Sequence, residues 1–227
     1  LTFPALLAIG TPPVIANATS TVALVLGTGG SVYGFRRHIP AIRNWLSRFV
    51  PVSIAGGLLG SWLLTVTRNE TFARLVPFLI LFATLLFLVQ GLMARLIKRG
   101  LEEPEQPRKL WPAVAFQFGV AVYGGYFGAG IGILMLATLG FIGLRDIHRM
   151  NALKNILGSL INVVAALLFI ARGMVDWPKA GVMTAGAILG YYLGSHYSQK
   201  IPQPWVRRLV LAIGFAISVI TFYRQWA

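Results

Sequence analysis

Long apolar stretches separated by short basic loops dominate the hydrophobic pattern of this chain. The stretches run for about 20 residues, the length that a helix needs to cross the hydrocarbon core of a bilayer. Alternation with a period of two is absent, so the pattern favours helices over strands. It predicts an all-α polytopic membrane protein, with spans at residues 14–35, 49–66, 75–94, 112–142, 150–171, 180–197 and 206–223.

Composition supports a membrane protein and narrows its chemistry. Of the 227 residues, 56% are hydrophobic and only 11% are charged, and the mean hydropathy is +0.73. The formal net charge of +14 arises mostly from Lys and Arg in short loops, which is a topology signal and not the pattern of a nucleic-acid-binding face. The chain has no cysteine, which excludes disulfides and thiolate chemistry.

The longest polar stretch, residues 95–109, divides the chain into two related halves. We predict an N-terminal repeat at 1–94, a cytoplasmic linker at 95–111 and a C-terminal repeat at 112–227. Chance similarity among apolar segments is the alternative to duplication, but three similar segments occur in the same order. They are 1–6 with 134–139, 15–18 with 149–152, and 55–60 with 185–190.

The alignment of the halves predicts that the first repeat is truncated. A Gly-rich helix precedes residue 134 in the second repeat, and its counterpart is expected upstream of Leu1. If 112–142 crosses the bilayer once, most basic residues lie on one side, which is then cytoplasmic, and the repeats are parallel. We favour this arrangement. A re-entrant pair of half-helices at 112–142 would invert the repeats instead.

Polar residues form one stripe along the predicted span 150–171. Such residues are costly at membrane depth, so they usually face a cavity or a neighbouring helix. Packing between helices is therefore the alternative to a substrate site, and the lysine in the stripe could also reach the interface by snorkelling. The stripe consists of Asn151, Lys154, Asn155, Gly158, Ser159 and Asn162, and Asn17, Ser20, Thr21 and Thr28 repeat it weakly in the first half.

Glycines interrupt the apolar stretch 112–142, which is also too long for one straight crossing. Glycines at 124, 125, 128, 130 and 132 predict a broken helix whose free N-terminus attracts anions. Close helix packing is the alternative. Two other glycine sets, Gly56…Gly60 and Gly186…Gly190…Gly194, are interpreted as packing faces.

The placement of charge favours an anion as substrate. All six acidic residues lie in or beside loops, so Lys154 is the one candidate charge inside a span. Neither a nucleophile with a base, nor a phosphate-binding loop, nor a metal-ligand cluster occurs in the sequence, so we expect no enzyme, no cofactor and no metal. The rival classes are an intramembrane enzyme and an assembly protein whose stripe binds a partner helix.

Three ordered motifs resemble a known family. Gly-Gly-Tyr-Phe-Gly-Ala-Gly-Ile-Gly at 124–132, the segment 144–155 and Gly-Met-Val-Asp-Trp at 173–177 are similar to the second half of the sulfite exporter TauE/SafE permeases. Ile131 departs from the pattern, where many members have another glycine. The resemblance implies about eight spans in two repeats and transport of sulfite, sulfonates or related organosulfur anions.

By this resemblance, the substrate binds near the midplane of an inner-membrane, multi-pass protein. Transport is expected to be secondary or facilitated, with export as its direction and the lipid bilayer as the protein's surroundings. The transported anion, the coupling ion and the oligomeric state stay open, with a homo-oligomer among the alternatives. The proposed binding residues are Lys154, Asn151, Asn155, Asn17, Ser20, Gly128, Gly130 and Gly132.

Overall fold

The computed structural model describes residues 2–34, 39–102, 110–141, 144, 146–197 and 203–226, and every regular element within these ranges is a helix. The predicted all-helical class is therefore confirmed for this part of the chain. The helices are α1 (Thr2–Ala8), α2 (Pro13–Gly34), α3 (Ile39–Val66), α4 (Asn69–Glu102), α5 (Leu110–Tyr126), α6 (Ile131–Phe141), α7 (Ile147–Ala171), α8 (Trp177–Tyr197) and α9 (Gln203–Trp226).

Among the described residues, three helices are long and apolar enough to cross a membrane. They contain the segments Ile42–Val66, Asn69–Gly91 and His148–Ala171. Large apolar side chains are exposed on these helices, as a lipid-facing surface requires, and Trp62 and Phe78 are examples. Shorter apolar segments lie in α2, α6 and α9.

Helix α3 packs between α5 and α7, and small residues permit the close approach of α3 to α5. A Cβ atom at Gly60 would collide with the carbonyl oxygen of Val122, and one at Gly125 would collide with that of Gly57. Among the described residues, the corresponding glycines of α8 do not pack closely against another helix in this way.

At Gly186 and Gly190, a Cβ atom would meet no heavy atom within 4 Å. The packing face predicted there is therefore wrong for the residues that the structure describes. The surroundings of Gly194 lie outside them. The interpretation failed because glycine spacing shows where a helix can approach, whereas the fold decides whether one does.

Helices α5 and α6 form a hairpin, because the end of α6 returns to the beginning of α5. Ala137 and Thr138 of α6 line a cleft together with Pro112, Ala113 and Phe116 of α5. The first residue of α6, Ile131, lies against Gly124, near the end of α5.

The single crossing expected for 112–142 is therefore wrong. At 1.5 Å per residue, α5 and α6 are roughly 25 Å and 16 Å long, and the chain reverses between them.

Two buried clusters hold the bundle together. One joins α3, α5, α6 and α7 around Phe49, Met135 and Leu157, and the other joins α1, α2, α4 and α7 around Phe72 and Phe169. Helix α4 continues to Glu102, into the predicted linker, whose residues 103–109 lie outside the described ones.

Asp146 caps the N-terminus of α7. Its side chain accepts hydrogen bonds from the backbone amides of His148 at 2.8 Å and Arg149 at 3.4 Å. The bond from His148 is the main cause that lowers the pKa of Asp146 below its ordinary value, and the bond and charge of Arg149 add to it. This cap fixes the start of the helix that carries the polar stripe.

Candidate functional site

A cavity of about 410 Å³ lies where the turn between α5 and α6 meets α1, α2, α4, α7 and α9. We call residues 127–130 the hairpin tip and this space the tip cavity. Its polar lining residues are Thr2, Asn17, Ser20, Thr21, Thr84 and Asn162, and its larger apolar ones include Leu24, Ile80, Phe87, Val210 and Ile217.

Two glycines at the hairpin tip adopt a backbone conformation that other residues rarely reach. Gly128 has φ +82° and Gly130 has φ +80°, in the left-handed region where a Cβ atom is strained. Both glycines line the cavity. The reversal of the chain at the tip therefore depends on glycine at these two positions.

Two side chains donate hydrogen bonds to carbonyl oxygens in or next to the hairpin tip. The Asn17 amide nitrogen donates to the Tyr126 carbonyl at 3.0 Å, and the Tyr123 hydroxyl donates to the Ala129 carbonyl at 2.8 Å. In the backbone, the amide of Ile133 donates to the Gly130 carbonyl at 3.0 Å. These contacts occupy acceptors that would otherwise repel an anion.

Backbone amides in the second half of the tip and at the start of α6, in contrast, have no hydrogen-bond partner among the described residues. Those of Ala129, Gly130, Ile131 and Gly132 donate to no acceptor among the described residues. Ile131 and Gly132 are the first residues of α6, where amides have no intrahelical partner and the helix dipole is positive. The tip therefore offers an excess of hydrogen-bond donors.

Two asparagines from different helices flank the tip. Asn17 of α2 is buried, with 4% exposure. Asn162 of α7 lines the cavity, and its Oδ1 atom is 3.9 Å from the position of a Cβ atom built on Gly128. Its side chain has no hydrogen bond within the described part of the chain. Asn162 was part of the predicted stripe but not of the predicted site, although its helical spacing from Asn151 could have placed it there.

Ser20 also lines the cavity, with its hydroxyl 2.7 Å from that of Thr2. Four of the eight predicted binding residues thus surround one space: Asn17, Ser20, Gly128 and Gly130.

Lys154 lies beside the first turn of α6 and is not among the lining residues of the cavity. Its Cδ atom would be 3.5 Å from a Cβ atom on Gly132, and its ammonium donates to the Asn151 side chain at 3.2 Å. No ion pair within the described residues involves this lysine. Asn155 does not line the cavity either. A direct role in binding stays a prediction for all eight residues.

The described lining of the cavity contains no acidic side chain. The described residues also contain no group of three or more His, Cys, Asp or Glu side chains that could hold a metal ion.

Comparison with known proteins agrees with the motifs. The family model of the sulfite exporter TauE/SafE matches residues 1–221. The chain belongs to this family. It is therefore a membrane transporter, and its family is not one of enzymes.

Three relatives match nearly the whole chain. A probable membrane transporter protein of Haemophilus influenzae is 28% identical over 229 residues, covering 99% of this chain and 86% of the relative. The probable membrane transporter protein YfcA of Escherichia coli is 27% identical over 226 residues, with 98% and 81% covered. The probable membrane transporter protein ORF9 of a Sinorhizobium species is 26% identical over 224 residues, with 96% and 82% covered. No solved structure matches the chain.

Proposed function

We propose that this protein is a multi-pass inner-membrane permease that moves a small sulfur-containing anion, sulfite or an organic sulfonate, outward by secondary or facilitated transport. The observation that carries the proposal is the donor-rich hairpin tip, which faces a cavity without a described acidic lining residue. The family's description as sulfite exporters supports the choice of sulfur anions.

The physical argument is that the tip favours negative over positive ligands. Hydrogen bonds to a charged group contribute about 1.5–3 kcal/mol each, and the unpaired amides of Ala129 and Gly130 belong to residues that line the cavity. A cation would need carboxylate or carbonyl oxygens, and the carbonyls of Tyr126 and Ala129 already accept side-chain donors. An oxyanion can accept from the amides and from the flanking Asn17 and Asn162.

Lys154 adds a positive charge beside the same helix end. An ammonium next to a helix N-terminus gains nothing from the helix dipole, which is positive there. No acidic partner compensates it within the described residues. This juxtaposition raises the potential around the first turn of α6, and we infer that it attracts the anion towards the tip.

The packing of the helices supports two repeats. The alignment of the halves pairs α2 with α7, α3 with α8 and α4 with α9. Exchanging the paired helices turns the observed α3–α7 contact into the α2–α8 contact, which is also observed. The contacts of α2 with α7 and of α4 with α9 join paired helices, so the exchange leaves them unchanged. The α5–α6 hairpin adds a reversal, so we propose inverted repeats that rock against each other. The domain boundaries and the oligomeric state stay predictions.

Sulfite efflux from proteoliposomes tests this function. We expect the purified chain to release trapped sulfite faster than empty vesicles, and Asn162→Ala to slow this release by about tenfold or more, from the loss of a hydrogen bond to a charged group. The matched control is Asn44→Ala, because Asn44 is exposed on α3 and away from the cavity. Absence of flux for every anion tried would refute the permease. Equal slowing by both variants would refute the tip cavity as its site.

A further inference from the structure

The tip cavity is larger than an inorganic oxyanion needs. Sulfite has four heavy atoms, and with a water-sized share of about 30 Å³ for each, it occupies on the order of 100 Å³. The cavity has about 410 Å³, which lies within the range of roughly 300–1,000 Å³ typical of sites for small organic ligands. Most of the space therefore remains after an oxyanion is placed at the tip.

The remaining space is bounded by apolar side chains of α4 and α9. Ile80 and Phe87 contribute from α4, and Val210 and Ile217 contribute from α9. We call these four residues the apolar wall. Thr84 also lies on this side, but its hydroxyl already donates to the Ile80 carbonyl at 2.8 Å. The wall therefore offers contact area and no described charge.

The polar and apolar parts belong to one continuous space. Gly130 of the hairpin tip adjoins α4, since a Cβ atom on it would be 3.4 Å from the Leu86 side chain and 3.8 Å from the Cα atom of Ala83. Helices α4 and α9 approach each other closely at the cavity lining, because a Cβ atom on Gly214 would be 2.6 Å from the Thr84 hydroxyl and both residues line the cavity. A ligand with an anionic head at the tip thus meets the wall with its other end.

We propose that the apolar wall binds the organic substituent of the transported anion, so that an alkanesulfonate is a better substrate than bare sulfite. This inference rests on the proposed function. A bare oxyanion would satisfy the donors of the tip and leave the wall against water, whereas a hydrocarbon chain removes apolar surface from water.

Inhibition of sulfite efflux by a series of straight-chain sulfonates, from methanesulfonate to pentanesulfonate, tests the wall. Each buried methylene contributes about 0.8 kcal/mol, so the half-inhibitory concentration should fall about fourfold per added carbon until the cavity is filled. Uptake of the radiolabelled sulfonates should show the same order, which separates transport from simple blockage.

Variants of α9 localise the effect. Ile217→Phe fills part of the space, and we expect it to abolish the gain in inhibition with chain length. Val219→Phe is the matched control, because Val219 is 65% exposed on the same helix and does not line the cavity. If Ile217→Phe does not fold, Ile217→Ala serves instead, and it should shift the best inhibitor to a longer chain.

The outcomes separate this inference from the proposed function. Sulfite efflux with inhibition that does not depend on chain length would overturn the role of the wall and leave the permease standing. Equal chain-length dependence in Ile217→Phe and Val219→Phe would also overturn it, since partitioning into lipid would then explain the trend. Absence of any anion flux would overturn the function itself.

Discussion

Replacement of Gly128 by alanine tests whether the left-handed turn of the hairpin tip forms the anion site. The residue has φ +82°, so an alanine there must either adopt a strained conformation or change the turn. The new Cβ atom would also lie 3.1 Å from the Gly124 carbonyl oxygen, which would have to move. A change of the turn would displace the unpaired amides of Ala129 and Gly130.

The strain of the left-handed conformation costs roughly 1–2 kcal/mol for a residue with a Cβ atom. If the turn is retained, we expect the free energy of unfolding to fall by about this amount, a factor of about 5–30 in the folded-to-unfolded ratio. If the turn relaxes, the amides lose their alignment and sulfite efflux falls more than stability does. Gly128→Ala is therefore expected either to be less stable than the wild type or to transport less.

Gly119→Ala is the matched control. Gly119 lies within α5, and a Cβ atom there would meet no heavy atom within 4 Å. Alanine is favoured over glycine by about 0.5–1 kcal/mol inside a helix, so this variant should be slightly more stable and transport normally. Unfolding in mixed micelles and sulfite efflux from proteoliposomes measure the two effects. Equal stability and equal flux for the two variants would refute the importance of the turn.

Three further predictions concern the tip, the α3–α5 contact and the cap of α7. Tyr123→Phe removes the donor to the Ala129 carbonyl, and the KM for sulfite should rise about fivefold for a loss of about 1 kcal/mol; an unchanged KM would contradict this. Gly60→Ala should lower the melting temperature, because its Cβ atom collides with α5, whereas Gly190→Ala should not, and equal melting temperatures would count against the observed packing. The folded state lowers the pKa of Asp146, so its stabilising effect is present above the unfolded-state pKa and is lost as the pH falls through the folded-state pKa. Below about pH 4, the melting temperature should therefore fall less steeply with decreasing pH for Asp146→Asn than for the wild type. Parallel curves of melting temperature against pH would contradict this.

Much of the helical architecture follows from local pattern. Spans predicted at 49–66, 75–94 and 150–171 lie within α3, α4 and α7, because the length of an apolar run sets what can cross a bilayer. Helix ends were less predictable. Helix α4 begins at Asn69 and reaches Glu102, since polar residues at a span's ends continue the helix outside the apolar region.

The local sequence pattern predicts only part of the candidate site. Glycine spacing and the asparagine stripe indicated which residue types could bind an anion, and Asn17, Ser20, Gly128 and Gly130 do line one cavity. The same stripe also contained Lys154, which lies beside α6 instead. A helical stripe faces several neighbours along its length, and the sequence does not specify which neighbour stands at each turn.

The sequence by itself determined the helical membrane class, the family and the absence of Asp and Glu from the long apolar runs, because these depend on composition, run length and ordered motifs. Only the tertiary structure decided that α5 and α6 fold back on each other and that Asn162 faces the tip. It also decided that the glycine face of α3 is covered by α5 while Gly186 and Gly190 of α8 have no partner among the described residues. These outcomes depend on contacts between segments far apart in the chain, and a hydrophobic pattern carries no information about which of two equally apolar faces another helix will occupy.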